Sequence, residues 1–185
     1  MADAEEKIVL KPGMCTAFLS NFERTVDSEN FVFMDFNLQN RKVESLAKTM
    51  DECKEVRRCD LSLNNIVDVS MLKDMQQLIH VNLAKNKIKS LAVFCNDDMF
   101  PNLKWLDVST NKISELPPFK LPKLEYLDIS GNKLEKINEG WTGHPNVRVF
   151  KTVDNKFKSL SQFKAMPKLE TLYMAQNVVT VLGGW

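Results

Sequence analysis

The chain has 185 residues, of which 44% are hydrophobic and 26% charged, with 25 Lys and Arg against 24 Asp and Glu. This composition excludes a disordered or collagen-like chain, and the net charge of +1 argues against a dedicated nucleic-acid or membrane-surface binder. No apolar run is long enough to span a bilayer, and segment 1–7 lacks the apolar core of a secretory signal, so we expect neither feature.

The first predicted element is a helix over residues 14–26. Pro12-Gly13 precedes it as a helix breaker. Its apolar residues recur at roughly helical spacing, namely Met14, Phe18, Leu19, Phe22 and Val26. We expect this helix, within an N-terminal extension over residues 1–30, to cover the apolar edge of the domain that follows.

From residue 33 onwards, one pattern recurs along the chain, in the form L-x-x-L-x-L-x-x-N-x-I-x-x-L. A degenerate first unit aligns Phe33 with the first leucine and has Arg41 in place of the asparagine. Six further units keep the asparagine with steps of 22, 25, 21, 23 and 22 residues, at Asn64, Asn86, Asn111, Asn132, Asn155 and Asn177. Residues 31–185 are therefore predicted to form one domain of about seven units.

The spacing within each unit predicts its local structure. The alternating apolar residues point inward from a short strand, and the asparagine turns into the coil, where its amide binds backbone groups. Coils stack because one coil cannot bury its apolar face alone. The period and consensus are those of the leucine-rich repeat. The predicted fold class is an α/β leucine-rich-repeat solenoid, with a curved parallel sheet on the concave face, turns and short helices on the convex face, and an N-terminal helical cap.

The unit with the 25-residue step has extra length around segment 94–99. We expect this length on the convex side, as a bulged turn or a longer helix, with Asp97-Asp98 at a solvated tip.

Neither a metal site nor a catalytic site is expected. The sequence has no GxSxG, no phosphate-binding glycine loop and no HExxH. His80 is predicted to be a contact residue on the exposed strand face, and His144 a surface residue in a convex turn. No CxxC pair occurs among the four cysteines, so we expect no zinc, no cofactor, unpaired thiols and an intracellular protein; they are Cys15, Cys53, Cys59 and Cys95.

The outward strand positions are the main candidates for binding. Trp105 and Tyr126 are predicted to lie about 5 Å apart on adjacent coils, beside a row of carboxylates. Such a face suits a protein partner that carries Arg or Lys, although the carboxylates alone would also keep the face soluble. The candidate partner-binding residues are Arg58, Asp60, His80, Trp105, Asp107, Tyr126, Asp128, Lys151 and Tyr173.

Two further surfaces are weaker candidates. A lysine follows the asparagine in four units and forms a possible basic edge for RNA phosphates or an acidic protein, although lysine is also a common residue of exposed turns; the edge is Lys87, Lys112, Lys133 and Lys156. The chain stops directly after the last coil, so Leu182 and Trp185 are candidates for an edge contact with a partner or a second copy. The alternative is a truncated product.

Two segments carry a resemblance to a known family. They are residues 31–38, FVFMDFNL, and residues 167–177, PKLETLYMAQN. With units of about 22 residues, the chain resembles the short intracellular leucine-rich-repeat proteins, most of all the radial-spoke leucine-rich repeat-containing protein 23 family of axonemes. The resemblance implies a non-catalytic scaffold of the cilium or flagellum with a protein partner on its concave face. The alternatives are a regulatory adaptor of a protein phosphatase, a dynein-associated light chain and, from another class, an RNA-complex component.

Overall fold

The computed structural model describes residues 8–9, 11, 14–24, 31–46, 53–96, 99–118, 121–137, 144–159, 163 and 166–180. Over these ranges the chain forms ten strands and three short 3₁₀ helices, with no α-helix. The strands are β1 (Ile8–Val9), β2 (Leu19–Arg24), β3 (Phe31–Asn37), β4 (Val43–Ser45), β5 (Arg58–Asp60), β6 (His80–Asn82), β7 (Trp105–Asp107), β8 (Tyr126–Asp128), β9 (Val149–Lys151) and β10 (Thr171–Tyr173). The 3₁₀ helices are Cys15–Phe18, Ser70–Asp74 and Ala92–Cys95.

Eight of these strands form one sheet in the order β10-β9-β8-β7-β6-β5-β3-β2. Strands β3 and β5 to β10 are parallel, while β2 pairs antiparallel with β3 at one end. Each three-residue strand meets the next coil in register, so that Trp105 lies between His80 and Tyr126. The parallel sheet of stacked coils is therefore confirmed, and β1 and β4 form a separate parallel pair.

The middle residue of each three-residue strand in the sheet, and Phe36 of β3 in the same register, point into the core, as the alternation predicts. Six of these residues are at most 1% exposed, and only the one in β10 is partly exposed; the column is Phe36, Cys59, Val81, Leu106, Leu127, Phe150 and Leu172. Burial raises the pKa of the Cys59 thiol well above its ordinary value. All four cysteines lie in the described ranges and none forms a disulfide.

The asparagines form a hydrogen-bonded ladder through the interior. Asn132 illustrates the arrangement: its Oδ1 accepts the backbone N–H of Ile113 at 3.0 Å, and its Nδ2 donates to the carbonyls of Val108 and Ile129 at 3.0 and 2.9 Å. Ile113 and Val108 belong to the preceding coil. The side chain thus satisfies backbone groups that the turn leaves without secondary-structure partners, which confirms the predicted role of the asparagine.

A second interior column explains a wrong prediction for His144. This residue was expected at the surface, but it is 1% exposed. It occupies the position three residues before the first apolar residue of its unit, and its counterparts are all buried: Cys53, Met75, Phe100, Leu121 and Met166. In each unit the carbonyl at this position accepts a hydrogen bond from the residue three further on, so the column is a recurring turn.

The N-terminal helical cap is also a wrong prediction. Residues 15–18 form a 3₁₀ helix, and the chain then continues as β2, so that the cap is a hairpin with β3. A strand supplies hydrogen-bond partners to the open edge of β3, which a helix cannot do. Phe33, aligned with a core leucine, is 37% exposed because it lies in the part of β3 that extends beyond β5. Val26 lies outside the described residues.

The extra length of the 25-residue unit contains the short 3₁₀ helix Ala92–Cys95 rather than a longer helix. Phe94 in this helix is fully buried, and its ring centre lies 5.1 Å from that of Phe100. Residues Asp97 and Asp98 lie outside the described ranges. The fold is therefore a β-solenoid with 3₁₀ segments, and the predicted α/β class is corrected on this point.

Candidate protein-binding face

The outward side of the sheet, called the sheet face below, carries a continuous stack of aromatic rings. The ring centres of His80 and Trp105 are 3.8 Å apart with planes at 6°, and those of Trp105 and Tyr126 are 4.8 Å apart at 8°. The predicted separation of about 5 Å for Trp105 and Tyr126 is thus confirmed. The rings of His80 and Tyr126 cover the two faces of the Trp105 ring, so only the edge of Trp105 is available to a partner.

The first residue of each three-residue strand in the sheet belongs to the first row of the sheet face, which contains the stack, and the last residue belongs to the second row. The second row holds side chains that cap the turns. Oδ1 of Asp60, Asp107 and Asp128 accepts the backbone N–H two residues further on, at 2.9, 2.8 and 2.9 Å. These are Asx turns, which fix the chain as it leaves each strand. The residue directly before the asparagine position has a left-handed backbone in all seven units, so the turn is tight. Partner binding and solubility are the two roles predicted for these carboxylates, and the structure adds this role in the turn.

Burial and neighbouring charges shift the pKa values of two side chains on this face, His80 and Asp107. Burial lowers the pKa of His80, Asp60 raises it, and Arg58 lowers it further. Burial also raises the pKa of Asp107, against the hydrogen bonds from Ser109 that lower it. The ring that terminates the stack on the β5 side is therefore a neutral imidazole at neutral pH, because its ordinary pKa is already 6.5.

Lys151 ends the stack on the other side. Its Nζ lies 5.2 Å from the ring centre of Tyr126 and 5.4 Å from that of Tyr173. A hydrogen bond with the Tyr126 side chain raises the pKa of Lys151. The Tyr126 hydroxyl also lies 3.4 Å from Oδ2 of Asp128. Lys151 and Tyr173 are the last residues of their strands and belong to the second row, and the Lys151 side chain reaches back to Tyr126 in the first row.

Arg58, the remaining candidate, is engaged at the N-terminal end of the sheet. Its Nε lies 2.6 Å from Oδ1 of Asp35, and Asn21 of β2 donates to the other oxygen of the same carboxylate.

An exposed aromatic cluster on the hairpin of β2 and β3 was not predicted from the sequence. Phe22, 60% exposed, has its ring centre 5.3 Å from that of Phe31 and 5.1 Å from that of Phe33. The alternation in residues 31–36, FVFMDF, was the available signal.

Paired charges cross between coils at the edge where the strands begin. Lys104 Nζ lies 3.2 Å from Glu125 Oε1, and Arg148 Nη2 lies 2.7 Å from Glu170 Oε1. The four residues occupy one position of successive units and alternate in sign. Because all four side chains are well exposed, solvent screens the attraction within each pair. They align the coils more than they stabilise them.

The basic edge is present as a row of exposed lysines: Lys87, Lys112, Lys133 and Lys156. Each backbone N–H donates to a carbonyl of the preceding coil at 2.8 to 2.9 Å, which holds the row in line. Lys156 Nζ lies 3.5 Å from Glu135 Oε1, so the row is partly neutralised. Leu182 and Trp185, the candidates for an edge contact, lie outside the described residues.

Within the described ranges, no group of three or more His, Cys, Asp or Glu side chains is placed to hold a metal ion. No helix in the same ranges is long and apolar enough to cross a membrane.

Comparison with known proteins agrees with this geometry. Residues 101–142 match the family model described as leucine-rich repeats in two copies. Over 85 residues the chain is 34% identical to the human leucine-rich repeats and immunoglobulin-like domains protein 3, a stretch that covers 45% of this chain and 8% of that protein. The chain thus spans less than a tenth of the length of this relative.

Solved structures share the fold at low identity. The functional domain of InlJ from Listeria monocytogenes, described as including a cysteine ladder, aligns with a TM-score of 0.68 at 18% identity, over 81% of this chain and 32% of that one. A leucine-rich-repeat protein of Leptospira interrogans aligns at 0.64 and 20% identity, over 80% and 39% of the two chains. The described residues therefore share the fold of leucine-rich-repeat solenoids.

Proposed function

We propose that this chain is a non-catalytic scaffold that holds a protein partner on its sheet face. The observation that supports this function is the stack of His80, Trp105 and Tyr126, whose partly exposed rings stand in line on three adjacent strands. Rings that are already held in place lose little conformational freedom when a partner binds, so their contacts translate into affinity efficiently. Aromatic residues are also the commonest anchors of protein interfaces.

The chemistry beside the stack favours a basic partner segment. Asp60 and Asp107 are partly exposed in the second row, whereas Asp128 is only 8% exposed and pairs with Lys151 on the adjacent strand. Because the faces of Trp105 are covered, the partner contacts ring edges and places its own cations against the carboxylates of Asp60 and Asp107. Charges of this kind steer association and select the partner more than they add affinity.

The proposed setting is the axoneme of a cilium or flagellum, within a radial spoke. It is supported by the resemblance of residues 31–38 and 167–177, which now correspond to β3 with its following turn and to the coil that contains β10. A tagged copy expressed in a ciliated cell tests this placement, through detergent and then high-salt extraction of the axonemes. Retention with spoke neighbours in proximity labelling supports it, and dynein neighbours would instead indicate a light chain. Release into the detergent fraction contradicts it and favours the phosphatase adaptor.

A double variant tests the face itself. Trp105→Ala with Tyr126→Ala should abolish capture of the labelled neighbours while the melting curve stays cooperative, because both side chains lie outside the core. The matched control is Val67→Ala with Val178→Ala, which truncates two residues that are 50% and 51% exposed and lie outside the sheet strands. Capture that survives the double variant and falls steeply with salt would assign binding to the basic edge.

A further inference from the structure

The structure places one ammonium group between two tyrosine rings that belong to different coils. Tyr126 begins β8 and Tyr173 ends β10, so the two rings are separated by the intervening strand β9. Val149 is the first-row residue of β9 and lies beside Tyr126. Its short aliphatic side chain does not extend the stack of rings. The gap is occupied instead by Nζ of Lys151, at 5.2 and 5.4 Å from the two ring centres.

The surroundings of this gap are those of a cation site. One face of Tyr126 is covered by Trp105 from β7, and the strand order places Lys151 on its other face. The hydroxyl of Tyr126 lies 3.4 Å from Oδ2 of Asp128, which brings a carboxylate to the rim. A ring face on two sides and a carboxylate beside them attract an ammonium group through the ring quadrupole and through direct charge. Lys151 is therefore a ligand that the chain supplies to its own site.

We propose that the gap between Tyr126 and Tyr173 is a recognition slot for a lysine side chain of the partner, and that Lys151 is an internal competitor which the incoming lysine displaces. This inference rests on the proposed function and names the residue type that the partner contributes. Displacement leaves the Lys151 ammonium in water, because its flexible four-carbon stem starts on the partly exposed outer side of β9. The slot selects lysine over an apolar residue of equal length, since only the ammonium is attracted electrostatically by the ring faces and by Asp128.

The test uses the full chain and a short probe, acetyl-Gly-Lys-Gly-amide, titrated while tyrosine ring signals are followed by NMR. Lys151→Ala should bind the probe about tenfold more tightly than the unmodified chain, the gain expected when a competitor that contacts two rings is removed. Lys151→Met, which keeps the length of the side chain without the charge, should give a gain in the same direction and serves if the alanine variant folds poorly. The same peptide with norleucine in place of lysine should not bind.

A second variant separates the slot from a general change in charge. Tyr173→Leu in the Lys151→Ala background removes one wall at a side chain that is 50% exposed, and should return the affinity to that of the unmodified chain. Lys158→Ala removes an equal charge elsewhere and should leave probe affinity unchanged. Equal affinity of the unmodified chain and Lys151→Ala, or a gain that persists without Tyr173, overturns the slot. If the slot fails while Trp105→Ala with Tyr126→Ala still loses the partner, the docking function stands; a working slot with no partner captured refutes the function instead.

Discussion

The asparagine ladder makes the sharpest prediction about stability, through Asn132→Ala. The side chain is 9% exposed and its Oδ1 is the acceptor for the buried N–H of Ile113. Alanine leaves that N–H without an acceptor in a dry interior, which costs about 1–3 kcal/mol. The carbonyls of Val108 and Ile129 lose one donor each but keep another, because Asn111 and Asn155 also donate to them.

Each of these weakened carbonyls adds a smaller cost, about 0.5–1.5 kcal/mol, so Asn132→Ala should destabilise the fold by about 4 kcal/mol. Asn177→Ala is the matched control. It removes the same set of bonds at the last coil, where the asparagine is partly exposed and water can replace it, so a loss of about 1 kcal/mol is expected. Chemical denaturation followed by circular dichroism measures both, with an unchanged dependence on denaturant. Equal losses for the two variants would refute the role assigned to the interior ladder.

Two further variants test the burial of His144 and the backbone strain at Thr110. Burial lowers the pKa of His144 to about 4 from 6.5, so the unfolded chain binds the extra proton between these values, and stability should fall by about 3 kcal/mol as the pH falls through that window. His144→Leu, which matches Leu121 in the same column, should remove most of this slope in denaturation curves taken at several pH values; an unchanged slope would contradict the burial. Thr110 is a β-branched residue held at φ 53°, so Thr110→Asn should raise stability by about 0.5–1 kcal/mol, and a lower melting temperature would contradict this strain.

The repeat spacing was sufficient to predict the sheet and the rows on its outward face. One fixed frame determines which residues meet on adjacent coils, and the 4.8 Å contact of Trp105 with Tyr126 follows from it. The Lys151 contact with Tyr126 was not predictable in this way. It depends on a long side chain that crosses from one row to the other, and spacing carries no information about that choice of rotamer.

The prediction of an N-terminal helical cap is wrong for a different reason. Phe18, Leu19 and Phe22 fit helical spacing, but the open edge of β3 requires backbone partners, and this tertiary demand overrides the local pattern. The predicted surface position of His144 is wrong because its buried column lies three residues before the consensus begins. The buried residues of that column recur with the same steps as the asparagines, so comparing positions before the consensus would have revealed it.

Docking of a protein partner on the sheet face can be tested by one set of affinity measurements. The partner identified by proximity labelling is titrated by calorimetry into the unmodified chain, into Trp105→Ala with Tyr126→Ala, and into the control Val67→Ala with Val178→Ala. Loss of two interface aromatics predicts affinity weaker by about a hundredfold for the first variant and unchanged for the control. Equal affinity for all three chains, with both variants folded, would place the interface elsewhere on the solenoid.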